Sequence, residues 1–424
     1  MGNKSEDTTA KPSVSSGRHR CWTRHSEEAI DTVEKNILSC VKTSQKRFYV
    51  DIGPVVGKSD KIWTLTMNEQ STKIPLVLLH GMASGLALWC PNLDMLAASR
   101  PLYAIDLLGF GRSTRPKFAT DPLKAEAQWV ESVEEWRREL NLSQFVLLGH
   151  SLGGYIATAY SMKYPERVRH LIVADPWGYN VRTAEDDERY AKIPLWKRAV
   201  VTSMDLLNPL WAVRAAGPAG RWLVSKTRPD ISRKYLKYLR DAETLIPEYI
   251  YQCNSQTPSG ETAFHTLGEM FIFAKHPMVT RLEQLDAALP MTEIYGAKSW
   301  VPCSSELVKE KRPSSRQYTN VIEDASHHIY LDNPDAFNKI VLEACTRADE
   351  YDPQIRPHIQ TNGHAGRNAE NQSQDSIAGS DQSPTSNGDV VRVENQSQKG
   401  ITKSDQPQPA IGQLNQLENA VAVQ

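Results

Sequence analysis

A serine flanked by glycines is the residue of this chain best suited to nucleophilic chemistry. Residues 149–153 read Gly-His-Ser-Leu-Gly, follow the apolar run 145–148 and precede a segment of good helix formers at 154–163. Strand, sharp turn and helix are the context of a G-x-S-x-G nucleophile elbow, where a strained backbone exposes the serine oxygen and glycines avoid Cβ clashes. The sequence therefore predicts that Ser151 is a nucleophile.

A second apolar run, residues 75–79, ends in His80-Gly81-Met82. Enzymes with this type of elbow place one backbone donor after such a strand and another directly after the nucleophile. We therefore expect the N–H groups of Met82 and Leu152 to form an oxyanion hole. His80 precedes the hole rather than facing the serine, which favours an orienting or packing role over that of a base.

The general base should lie late in the chain, because α/β-hydrolases order their triad as serine, acid and histidine. His327 is the predicted base and His328 the alternative. A neutral imidazole can accept the serine proton and later return it to the leaving group. Asn333 and Pro334 follow and are expected to cap and begin a last helix.

The acid is the triad member that the sequence leaves open. The usual position, a few residues after the strand 291–296, holds no carboxylate before Glu306. Some hydrolases place the acid after the sixth strand, which here ends in Asp175, and this makes Asp175 the leading candidate. The alternatives are a purely structural Asp175, an acid at Glu306, Glu323 or Asp324, and a dyad without an acid. Losing the acid costs a serine protease about 10⁴ in turnover.

Hydrophobic patterning predicts an α/β fold divided into five segments. Alternating strand and helix signals indicate βαβ units and a mostly parallel sheet, whereas the later helical stretch reads as an inserted lid. The end of the chain is rich in Gln, Asn and Ser and almost free of aromatic residues, so we expect it to be disordered. The segments are an N-terminal leader with an amphipathic helix (1–44), the first part of an α/β-hydrolase core (45–175), a helical lid (176–287), the second part of the core (288–348) and a disordered tail (349–424).

Composition indicates the cellular compartment and the classes of ligand that the chain is expected to lack. The 49 Lys and Arg balance 50 Asp and Glu, so no nucleic acid partner is indicated. The six cysteines show no C-x-x-C pair and no metal-ligand spacing, which is typical of the reducing cytoplasm. No apolar run reaches the roughly 18 residues of a membrane span, and no signal-peptide pattern occurs. We expect a cytoplasmic protein without metal or cofactor.

The predicted lid is basic and contains several tryptophans. Between Ala191 and Arg240 lie eleven Lys or Arg and two Asp, with Trp196, Trp211 and Trp222 interleaved. Indole rings and cations suit the headgroup layer of an anionic membrane, where each basic residue contributes about 1 kcal/mol. We therefore expect the lid to face a membrane or lipid-droplet surface. The alternative is a solvated lid whose tryptophans pack inward.

These features resemble the α/β-hydrolase domain-containing proteins 4 and 5 over residues 45–345. The strings that carry the resemblance are Asp106-Leu-Leu-Gly-Phe-Gly-Arg-Ser113, Glu134-Glu-Trp-Arg137, Asp175-Pro-Trp-Gly178, Pro258-Ser-Gly-Glu-Thr-Ala-Phe264 and His327-x₄-Asp332. The resemblance implies a cytosolic or membrane-attached lipid enzyme. Protein 4 is similar to a lysophospholipase acting on N-acyl phosphatidylethanolamine. Protein 5 has asparagine at the elbow and is a lipid-droplet co-activator of triglyceride lipase, so Ser151 makes this chain look closer to protein 4.

The chain departs from the family pattern at the acid. The aspartate that the family carries shortly after the Tyr-Gly strand appears here as Pro302, and the generic hydrolase position is Ser299. Both departures increase the weight on Asp175.

Three functions follow from these patterns. The leading interpretation is a serine hydrolase that cleaves fatty-acyl esters of (lyso)phospholipids of the N-acyl phosphatidylethanolamine type. The second is a lysophosphatidic acid acyltransferase, in which His327 deprotonates an acceptor hydroxyl and Asp332 orients it. The third is a lipid-droplet co-activator of a partner lipase. The hydrolase is favoured because His327 is already explained as its base, and an acidic residue at a helix entry is common.

Overall fold

The structure of the chain is a computed structural model that describes residues 25–192, 194–195, 210–269 and 272–350. The first 24 residues of the predicted leader, Trp196 of the predicted lid and the predicted tail from residue 351 lie outside the described residues.

An eight-stranded sheet forms the centre of the molecule, in the order β1-β2-β4-β3-β5-β6-β9-β10. Strand β2 runs antiparallel to β1 and β4, and the other neighbours are parallel, so the predicted mostly parallel sheet is confirmed. The sheet strands are β1 (Gln45–Gly53), β2 (Asp60–Met67), β3 (Leu76–Leu79), β4 (Leu102–Ile105), β5 (Phe145–His150), β6 (Val168–Ala174), β9 (Met291–Gly296) and β10 (Gln317–Ile322). A separate pair comprises β7 (Gly268–Glu269) and β8 (Phe273–Ala274).

Helices precede, connect and follow these strands. Those within the described residues are α1 (Glu27–Leu38), α2 (Cys90–Ala97), α3 (Pro122–Glu139), α4 (Leu152–Lys163), α5 (Ala184–Lys192), α6 (Trp211–Ala215), α7 (Gly220–Thr227), α8 (Pro229–Tyr235), α9 (Ala242–Asn254), α10 (Gly260–Leu267), α11 (Ser305–Lys311), α12 (Ile329–Asp332) and α13 (Pro334–Glu350). Helices α5–α10 and the β7–β8 pair lie between β6 and β9, in the stretch that we call the lid segment (176–287). No helix in the described ranges is long and apolar enough to cross a bilayer.

Both faces of the sheet are covered by apolar side chains. In β3, Leu76 and Leu78 join one core cluster, while Val77 and Leu79 join the other. This alternation follows from the two-residue period of a strand, and burial on both sides explains why the central strands are continuous apolar runs. Helices α1, α2 and α13 contribute to the first cluster, and α3 and α4 to the second.

The N-terminal helix is fixed to the core by a buried carboxylate. Glu34 of α1 is fully buried and accepts hydrogen bonds from Arg47 Nη1 (2.7 Å) and Trp63 Nε1 (3.1 Å). Arg112 Nη1 lies 3.3 Å from the same carboxylate, and the Arg112 backbone N–H donates to Asp106 at 2.7 Å. These contacts connect α1 to the turn after β4, which supports the loop that follows β3.

Parallel strands bring distant residues to one edge of the sheet. Strands β3, β5, β6, β9 and β10 end at the same edge, so the loops that follow them meet there. These loops carry the residues that the sequence singled out for chemistry.

Candidate active site

Ser151 occupies a strained turn between β5 and α4. Its φ is 52° and its ψ is −120°, a conformation that costs a non-glycine residue about 1–3 kcal/mol. The turn is held because Ser151 N–H donates to Ala174 O at 3.1 Å and Ser151 O accepts from Gly154 N at 2.9 Å. A Cβ on Gly149 would collide with the backbone of Gly153. These contacts account for the glycines of the G-x-S-x-G string.

The loop after β3 passes very close to this turn. A Cβ on Gly81 would lie 3.0 Å from both His150 Nδ1 and Ser151 Cβ, so only glycine allows this approach without displacement. Asp106 accepts a hydrogen bond from Leu86 N at 2.7 Å, and Asn254 Nδ2 donates to Ala83 O at 2.9 Å. The loop is therefore fixed from both sides.

The two predicted oxyanion donors flank Ser151 on different elements. Met82 lies on the loop after β3 and lines the same cavity as Ser151. Leu152 is the first residue of α4, where a backbone N–H has no acceptor within its own helix. The positive end of the helix dipole also favours negative charge there.

His80 is engaged with the backbone. Its Nδ1 donates to Gly81 O at 2.6 Å, and its Nε2 accepts from Leu107 N at 3.0 Å. Burial lowers the pKa of His80 to about 4. A neutral ring with both nitrogens occupied orients the loop, in line with the role expected from the sequence.

Asp175 is the carboxylate that the structure brings to the predicted base. His327 Nδ1 donates to Asp175 Oδ2 at 2.6 Å, and Gly296 N donates to Asp175 Oδ1 at 3.2 Å. The Ser299 hydroxyl also donates to Asp175 Oδ2. Asp175 is fully buried, and this burial raises its pKa to about 7. Three donors compensate the carboxylate for the loss of water.

Burial also keeps His327 neutral. Burial lowers the pKa of His327 to about 3, and its Nδ1–H is directed at the carboxylate. The assigned tautomer therefore leaves Nε2 with a lone pair that can accept a proton. This is the protonation state that a general base needs before it acts.

Sheet topology explains why Asp175 lies beside the loop after β9. Strands β6 and β9 are parallel neighbours with Ala174 opposite Ile294, so the residue after β6 adjoins the loop after β9. Ser299 on that loop stands at the generic acid position and donates to Asp175 instead of replacing it. The backbone N–H of Val301 in turn donates to Ser299 Oγ at 3.0 Å.

The other carboxylates considered from the sequence point into solvent. The side chains of Glu306 and Asp324 are 87% and 83% exposed and pair with Lys309 and Lys298. Glu323 is exposed as well. Within the described part of the chain, none of the three contacts His327.

The loop that carries the base is held on both sides. His150 Nε2 donates to the His327 carbonyl oxygen at 2.8 Å, and the Ser326 backbone N–H donates to Asp332 Oδ2 at 2.7 Å. His328 lines the same cavity as His327, but the hydrogen bond to Asp175 belongs to His327. Asp332, the last residue of the H-x₄-D string, lies against Ser326 and Lys234.

A cavity of about 290 Å³ joins these groups. Ser151, His327 and Met82 line it. Its lining includes the apolar side chains of Leu88, Trp177, Ile231, Ile250, Phe264 and Trp300. It also includes the polar side chains of Ser84, Arg228, Asp230 and Lys298. The described residues contain no group of three or more His, Cys, Asp or Glu able to hold a metal ion.

Sequence reasoning missed the groups that support the triad. His150 lies within the elbow string, yet its bond to the base loop depends on how β5 and β10 are placed. The hydrogen bond from Ser299 to Asp175 joins residues 124 positions apart. Ser326 and Asp332 are only six positions apart, so their spacing was the one local signal available.

Comparison with known proteins gives a consistent result. Residues 74–210 match the family model of the alpha/beta hydrolase fold. A (lyso)-N-acylphosphatidylethanolamine lipase of Mus musculus is 45% identical over 322 residues, which cover 76% of this chain and 92% of that protein. The 1-acylglycerol-3-phosphate O-acyltransferase ABHD5 of Sus scrofa is 46% identical over 331 residues, covering 77% and 91% respectively.

Solved structures agree on the fold. The naproxen esterase of Bacillus subtilis superposes with a TM-score of 0.52 at 15% identity, covering 74% of this chain and 96% of that protein. A bacterial membrane phospholipase A gives a TM-score of 0.52 at 21% identity, covering 76% and 90%. This likeness confirms the fold predicted from the sequence.

We expect Asp175→Asn to lower kcat for a p-nitrophenyl ester by about 10³–10⁴-fold, because an amide cannot hold the His327 tautomer in place. Adding Ser299→Asp to this variant should recover about tenfold, since residue 299 already contacts position 175. Asp324→Asn, a change to an exposed acid, serves as the control. A kcat within about twofold of wild type in Asp175→Asn would assign the acid elsewhere or leave a dyad.

Proposed function

The chain belongs to the α/β-hydrolase domain-containing protein 4 and 5 family, and on this premise we propose that it hydrolyses fatty-acyl esters of (lyso)phospholipids. N-acylphosphatidylethanolamines and their lyso forms are the proposed substrates, following the name of the 45% identical lipase. The observation that carries the proposal is the hydrogen-bonded pair of His327 and Asp175 beside an elbow serine.

In the first half of the proposed reaction, Ser151 Oγ attacks the ester carbonyl carbon while His327 Nε2 takes the hydroxyl proton. Asp175 stabilises the imidazolium that forms, and the N–H groups of Met82 and Leu152 donate to the oxyanion. Collapse of the tetrahedral intermediate breaks the bond to the glycerol oxygen, which receives the proton from His327. The fatty acid remains as an ester on Ser151.

In the second half, water replaces the glycerol alcohol. His327 takes a proton from the water, the hydroxyl oxygen attacks the acyl carbon, and the proton passes to Ser151 Oγ as the ester breaks. The products are a fatty acid and the deacylated phospholipid, and the enzyme returns to its starting state.

The cavity wall supports a lipid substrate. The apolar side chains of the lining suit an acyl chain, and the charged side chains of Arg228 and Lys298 suit a charged headgroup. Pockets for such ligands combine a mostly apolar surface with a few polar groups that fix orientation. This mixed lining supports a substrate that has both an apolar and a charged part.

The acyltransferase remains the second candidate because a 46% identical relative carries that name. It would share the acyl-enzyme and differ only in the acceptor, a lysophosphatidic acid hydroxyl instead of water. The contacts of Asp332 support hydrolysis. Its carboxylate is 5% exposed and is occupied by Ser326 and Lys234, so it is not directed at an incoming hydroxyl.

We further propose that the lid segment (176–287) is a lid and that it rests on a membrane or lipid-droplet surface from the cytoplasmic side. Trp211 of α6 and Trp222 of α7 are 55% and 61% exposed, which supports interfacial rather than inward packing. Lys226 is exposed on α7, and so is Arg221, whose Nη1 lies 3.4 Å from Glu248 Oε2. Their positive charge suits anionic headgroups, and the indole rings suit the interface.

Some basic residues of the lid segment form ion pairs within the protein. Arg214 pairs with Glu261, Arg228 with Asp230 and Lys234 with Asp332. The proposed membrane surface therefore uses fewer basic residues than the sequence count suggests.

We expect purified wild type to hydrolyse a lysophospholipid and an N-acylphosphatidylethanolamine, and Ser151→Ala to lose both activities by at least about 10³-fold. A fluorophosphonate probe should label wild type and not Ser151→Ala. The matched control is Ser39→Ala, which removes an exposed hydroxyl that does not line the cavity and leaves the nucleophile.

An unlabelled, inactive wild type that stimulates a separate triglyceride lipase would contradict the hydrolase and support a co-activator. Transfer to lysophosphatidic acid that exceeds hydrolysis in the wild type would favour the acyltransferase.

We expect the double variant Trp211→Ala/Trp222→Ala to reduce sedimentation with vesicles containing phosphatidylserine by about tenfold, because it removes both exposed rings from the interface. Hydrolysis of a soluble p-nitrophenyl ester should be unchanged. Leu123→Ala, at an apolar side chain that is 46% exposed on α3, is the control. Equal sedimentation of all three proteins would contradict the proposed membrane surface.

A further inference from the structure

Asp332 is enclosed by donors from two parts of the chain. Its Oδ2 accepts from the Ser326 backbone N–H at 2.7 Å and from the Ser326 hydroxyl at 2.6 Å. Its Oδ1 forms an ion pair with Lys234 Nζ. The Asp332 side chain is 5% exposed, whereas that of Lys234 is 30% exposed. Burying a carboxylate is costly unless it is paired and hydrogen-bonded, and these partners meet that need.

Ser326 directly precedes the proposed general base. Fixing its N–H restricts the backbone from which the His327 side chain branches. On its other side the backbone of His327 is held by His150, which donates to the His327 carbonyl oxygen at 2.8 Å. The ring of His327 is thus oriented by Asp175, while its backbone is oriented by His150 and, through Ser326, by Asp332.

Lys234 belongs to the lid segment, not to the core. It lies on α8, a helix that also places Ile231 in the cavity wall. The next residue, Tyr235, is buried and donates to Leu88 O at 2.6 Å, and Leu88 lines the same cavity. Helix α8 therefore contacts both the substrate space and the support of the base.

We infer that Asp332 is a positioning residue for His327, and that Lys234 makes this positioning depend on the seating of α8. The inference rests on the proposed function and deepens it. When α8 is seated on the core, Lys234 neutralises Asp332 and the Ser326 clamp is complete. When α8 moves away, the carboxylate loses its cation and the loop that carries His327 is less restrained. The proposed base is therefore fully oriented only when α8 is seated on the core.

This role differs from that of a residue that orients an acyl acceptor. An acceptor-orienting aspartate acts after the acyl-enzyme has formed, so its loss leaves attack by Ser151 unchanged. A residue that positions His327 affects the attack itself, with any acceptor. The labelling of Ser151 by a fluorophosphonate separates the two, because this reaction needs the base and no acceptor.

The experiment compares Asp332→Ala, Asp332→Asn, Lys234→Met and the double variant Lys234→Met/Asp332→Ala with wild type. The controls are Asp335→Asn, an exposed acid on α13, and Arg233→Met, an exposed cation beside Lys234 on α8. The readouts are the labelling rate of Ser151, kcat and KM for p-nitrophenyl acetate, and the melting temperature of each protein.

We expect Asp332→Ala to reduce the labelling rate and kcat by about 10²-fold with little change in KM, the loss typical of a small misplacement of a catalytic group. Asp332→Asn should recover part of this loss because it keeps one acceptor oxygen for Ser326. Lys234→Met should reduce the labelling rate and kcat by less, about three- to tenfold. In the double variant it should add nothing to the effect of Asp332→Ala, because the two residues act through one contact.

If Ser151 of Asp332→Ala were labelled at the wild-type rate, the inference would be overturned, and Asp332 would be assigned to orienting an acyl acceptor. Additive effects of Lys234→Met and Asp332→Ala would overturn the link to α8.

Hydrogen exchange provides a readout that does not depend on activity. We expect the peptide containing Ser326 to exchange its amides faster in Asp332→Ala and in Lys234→Met than in the two controls. If wild type proves inactive, the proposed function fails, while faster exchange would still support the clamp. Unchanged exchange in both variants would reject the clamp whatever the activity.

Discussion

The candidate site depends on one buried hydrogen bond, from His327 Nδ1 to Asp175 Oδ2. A carboxylate without water is costly, and this one is stabilised by a ring N–H, the Ser299 hydroxyl and a backbone N–H. The contact sets the orientation of the proposed base, while burial of His327 lowers its pKa and holds the imidazole neutral. The strained turn exposes Ser151, but this serine can act as a nucleophile only if the proposed base is positioned to take its proton.

The parallel sheet makes this contact possible. Strands β3, β5, β6, β9 and β10 end at one edge, so the five short loops that follow them carry the proposed oxyanion hole, nucleophile, acid and base, and the serine that donates to the acid. Apolar clusters on both faces fix the strands. The loops are fixed by hydrogen bonds that His80 and His150 donate and by one that Asp106 accepts. The sheet and its loops thus determine the geometry of the site, and the lid segment adds part of the cavity wall.

Which features could be predicted from the sequence depends on how far apart in the chain the interacting residues lie. The mostly parallel sheet and the elbow at Ser151 are encoded in local patterns of apolar residues and glycines, and the structure has both. The choice among four acids needed the knowledge that β6 adjoins β9, which no local pattern contains. The partners of Asp332 were also hidden, because Lys234 comes from a helix far away in the chain. The sequence showed that a serine, Ser299, stands at the position of the usual acid. It did not show that this serine would donate a hydrogen bond to Asp175.

The central claim is that the Asp175 carboxylate holds the Nδ1 proton of a neutral His327 in the resting protein. Proton NMR at low temperature tests it directly, because an imidazole proton bound to a carboxylate and shielded from water resonates far downfield of the amide region. We expect one such signal in wild type, still present in Ser151→Ala and lost in both His327→Gln and Asp175→Asn. A signal that survives Asp175→Asn, or a wild type without one, would contradict the account.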